Sequence, residues 1–293
     1  MRIKHCRHNE INYELWDKTI SQSTSNLIYG FSWYLDVVSP GWEALISENY
    51  EFVMPLPVKR RFGFTYLVQP WYVQQLGIFS AREIEPSTTE AFILKIPYLS
   101  YHLHLNEQNS LPGRTCEFQN LVLDLNSNYE TLRSGFAKNT LRNIQKAQSA
   151  ELTLKFDLGI GEFTEFYAKV NPSPAHQRAL LEKILCELAA HNALNIQACI
   201  DKKGSILAAF CLVRCQNRLF YLIPASSTEG KNLSAMFLVI NSVIRQYSGQ
   251  PCLLDFEGSR NEGIARFFKG FGAINRPYYM IKRCRPQFLT GRI

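Results

Sequence analysis

The chain is 293 residues long, which predicts about two domains, and its 46% hydrophobic and 19% charged content is that of a globular protein with a substantial, aromatic-rich core. A net charge of +7 favours anionic partners such as nucleotides, the phosphates of CoA or RNA, without being a nucleic-acid signature by itself. Eight dispersed cysteines with no CxxC pair argue against a disulfide framework. The start MRIKHCRHNE has no apolar signal core and no run approaches bilayer length, so a soluble, cytoplasmic protein is the expectation.

In chain order, residues 9–22 predict a helix with Ile11, Leu15, Trp16 and Ile20 as its buried stripe. A second helix follows from Asn26 to Val38, stopped at Pro40-Gly41. Trp42 to Ser47 and Tyr50 to Val58 read as an antiparallel pair, and Lys59, Arg60, Arg61 and Gly63 as an exposed turn. Phe64 to Val68 and Val73 to Phe79 are β-like, with Trp71, Tyr72, Gln74 and Gln75 in a loop-like segment between them. A helix over 87–99 leads to strands at 101–106 and within 116–125. A long helix, 129–150, marks the expected domain junction. The second half then reads as a strand at 151–158, helices at 162–170 and 176–192, and a hairpin of 195–200 with 205–215.

The stretch from Arg218 to Gly272 organises what remains. An apolar strand, Leu219 to Pro224, runs into a polar loop and then an amphipathic helix bearing Leu233, Met236, Phe237, Ile240, Val243, Ile244 and Tyr247. A second strand, Leu253 to Phe256, ends in carboxylates, and a helix around 264–271 closes on Gly270 and Gly272. A right-handed crossover places the two strands side by side and parallel. Tyr278 to Lys282 supplies a last strand.

This order of elements, with ASSTEGKNLSA, DFEGS…IARFFKGFGA and the basic FAKNTLRNIQKAQ, resembles the Fem-type branch of the GNAT acyltransferase superfamily. The resemblance implies a mixed α/β fold with two GNAT-like domains in tandem, at 1–150 and 151–293. It implies acyl transfer to an amine from acyl-CoA or an aminoacyl-tRNA, the donor in the second domain and the acceptor in the cleft between domains. Acyl-CoA is then a co-substrate, with no tightly bound cofactor. The absence of a sustained heptad arm tilts the donor towards CoA or another small carrier, though tRNA stays possible.

The residues themselves offer three groups. Ser227, Thr228, Gly230, Lys231, Asn232 and Ser234 form a candidate anion loop at a helix start. There Gly230 allows close backbone approach and Lys231 supplies a cation, although an ordinary capped helix uses the same residues. Asp255 and Glu257, two apart and about 7 Å from one another on a strand face, are candidates to deprotonate an attacking amine. Asp255 alternatively pairs with Lys269 or Arg266. Tyr221, Tyr278 and Tyr279 are the phenols available as an acid towards a leaving group, with a core role as the alternative.

Lys138, Arg142 and Lys146 at i, i+4 spacing form a basic stripe that with Lys269 suits phosphates, or is a solvated face. Lys59, Arg60, Arg61, Lys282, Arg283 and Arg285 read as solvated. His102 and His104 share a face without a third metal ligand, and no nucleophile elbow, Walker loop or dinucleotide fingerprint occurs. The second function class that the sequence leaves open is a non-catalytic ligand-binding protein on the same scaffold, which the single glycine of the anion loop favours.

Overall fold

A computed structural model describes residues 1–111, 113, 115–258 and 261–284. Ser259 of the DFEGS run and Arg285 of the basic set lie outside the described residues. The chain forms two units, one from residues 1–119 with the chain's end from Pro277, the other from Asn120 to Arg276.

Unit 1 contains β1 (Ile3–Cys6), α1 (Tyr13–Gln22), α2 (Ser32–Val38), β2 (Glu43–Ser47), β3 (Val53–Leu56), β4 (Val58–Arg61), β5 (Phe64–Val68), α3 (Pro86–Leu94), β6 (Tyr101–Leu105) and β7 (Cys116–Phe118). Asn12 starts α1, its side chain accepting the Leu15 N–H at 3.1 Å. Trp16 and Ile20 are buried as the spacing requires, whereas Leu15 is 41% exposed. Residues 73–79 make only isolated bridges, at Leu76 and Phe79, and no strand.

Unit 2 contains β8 (Leu121–Asp124), α4 (Tyr129–Ser134), α5 (Lys138–Ser149), β9 (Thr153–Lys155), α6 (Ile160–Val170), α7 (Ala175–Ala190), β10 (Leu194–Ile200), β11 (Ile206–Cys215), β12 (Arg218–Ser226), α8 (Thr228–Asn232), α9 (Ala235–Tyr247), β13 (Leu253–Asp255), α10 (Glu262–Lys269) and β14 (Ile274–Asn275). The last strand, β15 (Tyr278–Arg283), returns to unit 1 and inserts between β6 and β7. Unit 1 therefore holds a three-stranded sheet, β1-β2-β3, and a five-stranded one, β4-β5-β6-β15-β7.

The domain junction thus falls earlier than the expected break at residue 150. Leu121 to Asp124 pairs with β13 and β14, which commits β8 and the helices after it to unit 2. The expected helix over 129–150 is two helices. The chain bends at Gly135–Ala137 because Phe136 is buried against Phe271, ring centroids 5.4 Å apart, while the Ala137 N–H donates to the Gly270 carbonyl at 2.9 Å.

The seven strands of unit 2 run β14-β8-β13-β12-β11-β10-β9, with β12 and β13 the parallel pair the sequence predicts. One sheet face carries Phe210, Leu212, Leu219 and Tyr221 into a core shared with α5, α9 and α10. From α9, Met236, Val239, Ile240, Val243 and Ile244 are buried there. Each such side chain contributes roughly 1.5–3 kcal/mol, an upper range because unfolded chains already bury some surface. Among the described residues no helix is long and apolar enough to cross a membrane.

Candidate functional site

The β12–β13 ladder ends at the pair Phe220 and Asp255, yet β12 continues for six more residues to Ser226. Along that continuation the register against β11 shifts by one residue, from Leu222 opposite Cys211 to Ala225 opposite Ala209. The extra residue lies at Ile223–Pro224, and Ile223 takes a φ of 53°. A β-branched residue adopts that region only under steric cost, and a bulge is where such a cost is tolerated. On the facing chain Glu257, two residues past the last pair, has a φ of 58°. Two strained non-glycine residues, Ile223 on β12 and Glu257 just past the end of β13, therefore lie beyond the point where the β12–β13 pairing ends.

What holds Glu257 is a buried ion pair. Asp255 is completely buried and Arg218 is 2% exposed. The Arg218 Nε and Nη2 donate to Asp255 Oδ2 at 2.8 and 2.7 Å, and Asn120 Nδ2 donates to the same oxygen at 3.3 Å. The other oxygen, Oδ1, accepts the Glu257 N–H at 2.7 Å, and the Glu257 carbonyl accepts the Leu121 N–H at 3.0 Å. A carboxylate so enclosed orients its neighbour and has no face to offer an amine. Its partner is Arg218, not Lys269 or Arg266. Nor do Asp255 and Glu257 share a strand face, because β13 stops at Asp255 and the left-handed turn re-aims Glu257. The half-buried Glu257 is the carboxylate left at the opening.

Tyr221 leaves the set of acids. It is 5% exposed, with Phe210, Phe268 and Phe256 at centroid distances of 4.5, 5.5 and 6.0 Å, and burial pushes its phenol far above its usual range. Tyr278 and Tyr279 lie on β15, which belongs to unit 1. Burial likewise raises the Cys199 thiol to about 11 and Cys215 to about 12, which removes both as nucleophiles at neutral pH.

The anion loop is folded more tightly than its sequence suggests. Ser227 caps α8, its hydroxyl accepting the Gly230 N–H at 2.9 Å while its own N–H donates to the Leu207 carbonyl at 2.9 Å. Gly230 is buried, and a Cβ on it would stand 2.1 Å from the Leu207 carbonyl oxygen. The glycine is there to let α8 lie on β11, not to admit a ligand, and its φ is not left-handed. Thr228, Lys231 and Asn232 are exposed. Ser234 is buried in a left-handed conformation, φ 59°, and its hydroxyl donates to Asn143 Oδ1 of α5 at 2.9 Å.

That last bond joins the loop to the basic helix. Lys138, Arg142 and Lys146 are all exposed on α5, which packs on α9, and Arg142 Nη2 donates to Asn139 Oδ1 at 2.7 Å. The bond from Ala137 to Gly270 places Lys138 and Lys269, each next in sequence to one of its partners, at the same junction of α5 with α10. A Cβ on Gly270 would meet Thr140 Oγ1 at 2.4 Å, so the two helices touch closely. The sequence-predicted cations Lys138, Arg142, Lys146 and Lys269 thus lie on α5 and the adjoining α10. Arg218 was missed, although a lone cation opening an otherwise apolar strand was a signal for it.

No protein-family model and no curated protein sequence matches the chain. Solved structures do. A crystal structure of FemX matches over 99% of both chains with a TM-score of 0.69 and 11% identity. L-PGS from Bacillus licheniformis matches over 95% of this chain and 93% of its own, with a TM-score of 0.60 and 10% identity. A tandem GNAT protein from the clavulanic acid biosynthesis pathway covers 96% and 98%, with a TM-score of 0.51 and 9% identity. At such identities the likeness concerns the fold, and the fold of this chain is the mixed α/β, tandem GNAT-like arrangement of the Fem type.

Proposed function

We propose that unit 2 transfers an acyl group from a carrier to an amine, the donor lying where β12 and β13 part. The carrying observation is that β12 runs on past the end of its pairing with β13, with a strained residue on each chain beyond that point and the Glu257 backbone held by Asp255, itself paired with Arg218. A carbonyl laid along the continuation of β12 meets backbone N–H groups suited to the charge that develops on its oxygen. The amine nitrogen attacks that carbonyl carbon, its proton passes to Glu257, and the carbon–sulfur or carbon–oxygen bond to the carrier breaks. Lys138, Arg142, Lys146 and Lys269, with Lys231 at α8, are the cations for the carrier's phosphates.

Acyl-CoA is the proposed carrier, with an aminoacyl-tRNA as the alternative; the matched tandem GNAT protein is itself described without AcCoA bound. Free thiols suit a reducing, cytoplasmic setting. A second reading, a binding protein without turnover on the same scaffold, draws on Gly230, which is consumed by packing against Leu207.

The test is incubation of the full chain with acetyl-CoA and, separately, aminoacylated tRNA, each with a panel of primary amines, and detection of acylated amine by mass spectrometry. Product is expected, with Glu257→Gln lowering turnover about 10²-fold or more and leaving donor affinity intact. Donor binding without product from any amine supports the second reading instead.

A further inference from the structure

The β4–β5 hairpin of unit 1 ends in a feature that acyl transfer does not use. Phe62 is 84% exposed and Phe64 is 53% exposed, although a folded chain gains nothing by presenting two phenylalanines to water. The tip is also a defined two-residue turn. Arg61 and Phe64 are the last pair of the ladder, and both residues between them are left-handed, Phe62 at φ 49° and Gly63 at φ 76°. That is the two-residue turn matching strand twist, and it fixes Phe62 at the apex despite its steric cost. The Arg61 guanidinium stands 5.0 Å from the centroid of the Phe62 ring.

The surroundings are cationic. Strands β4, β5, β6 and β15 contain no aspartate or glutamate, but they carry Lys59, Arg60, Arg61, Lys282 and Arg283. Arg60 is engaged by Glu43 at 2.8 Å. The other four are exposed. Register shows that they gather at one end of the sheet. Arg283 is level with Tyr101, and Tyr101 with Leu67, so the β15 cations and the hairpin tip lie towards the same end. Leu99, 61% exposed, sits there too, two residues before Tyr101, and the Ser100 carbonyl accepts the Leu67 N–H at 3.1 Å.

We propose that this end of unit 1 docks on an anionic lipid bilayer. Phe62 and Phe64, with Leu99 beside them, enter the boundary between headgroups and acyl chains, and Lys59, Arg61, Lys282 and Arg283 meet lipid phosphates. An apolar wedge ringed by cations is the pattern of an interfacial anchor, each part reversible alone and stronger together. Phe64 and Tyr66 share a sheet face with Arg61 and Lys59, which a single-stranded nucleic acid also favours. Phe62 at the apex and Leu99 decide for lipid, because an apex ring beyond the sheet platform and an aliphatic side chain give a base nothing to stack on. The proposal does not depend on the acyl-transfer reading.

The test is sedimentation of the full chain with vesicles of equal parts phosphatidylglycerol and phosphatidylcholine, against vesicles of phosphatidylcholine alone, with total tRNA as a separate arm. Binding to the anionic vesicles is expected, falling as salt is raised. Each of Lys59→Gln, Arg61→Gln and Lys282→Gln weakens it about fivefold. Phe62→Ser with Phe64→Ser weakens it tenfold or more without changing the melting temperature, since both side chains face water. Phe62→Trp gives an emission blue shift on adding the anionic vesicles. The proposal is overturned by equal sedimentation of the double serine variant and the parent, by no sedimentation with either vesicle, or by tRNA binding that the serine substitutions abolish while vesicles go unbound.

Discussion

Among the described residues, each unit buries one carboxylate against an arginine, and the two arrangements differ in what surrounds the partner. In unit 2, Asp255 and Arg218 are both out of reach of water, with side chains 0% and 2% exposed. In unit 1, Glu43 is 5% exposed, but its arginine, Arg60, is 63% exposed and its histidine, His5, is 32% exposed, at 2.8 and 2.6 Å. Tyr98 donates a further hydrogen bond to Glu43. The Asp255 pair has no solvent to fall back on if one member is lost, whereas Arg60 and His5 retain theirs. Geometry is similar in both, and desolvation sets how much each matters.

The largest expected effect follows directly. Asp255→Ala leaves a buried guanidinium unpaired and is expected to cost about 3–5 kcal/mol by denaturant unfolding. Replacing both partners, Arg218→Met with Asp255→Leu, recovers most of that loss, and a single-variant loss below about 1 kcal/mol would erase the contrast between the units. Next comes Gly230→Ala, expected to cost about 1–3 kcal/mol because its Cβ overlaps the Leu207 carbonyl. An unchanged stability with altered donor affinity would return Gly230 to the ligand. Glu43→Gln is expected to cost only about 1 kcal/mol, as its cation stays hydrated.

The smallest effect is a slope with pH. Burial, followed by the hydrogen bond to Glu43, raises the Tyr98 phenol well above its ordinary value of 10.0. Above that ordinary value the unfolded chain releases this proton while the folded chain keeps it, so the folded state binds more protons and stability falls as pH rises. The loss begins near pH 10 and continues up to the folded value. Tyr98→Phe is expected to flatten the alkaline limb of a stability–pH curve, and Tyr221→Phe does so from burial alone.

Much of unit 2 was legible because its signals are local. The periodicity of Met236, Ile240, Val243 and Ile244 gave α9, and the turn between Ile200 and Ile206 gave the β10–β11 hairpin. What escaped depends on distant partners. The return of Tyr278–Arg283 to β6 is a pairing across about 170 residues of chain, with no local signature. The Asp255–Arg218 contact required knowing that β12 and β13 pair in a register that puts residues 218, 220 and 255 on one face. Gly230 was legible as special but not for its reason, since the Leu207 carbonyl it accommodates sits more than twenty residues earlier. Glu257 was singled out through a strand alternation that its left-handed backbone breaks.

Whether an acyl donor seats where β12 and β13 part is tested most directly by calorimetric titration of the full chain with acetyl-CoA and free CoA. The parent and the Lys231→Glu and Glu257→Gln variants would be compared. Saturable binding is predicted, weakened about tenfold or more by reversing the charge at Lys231 and left unchanged by Glu257→Gln. Acetyl-CoA binding indifferent to Lys231→Glu, or no binding of acetyl-CoA at all, would contradict a CoA-linked donor at this opening.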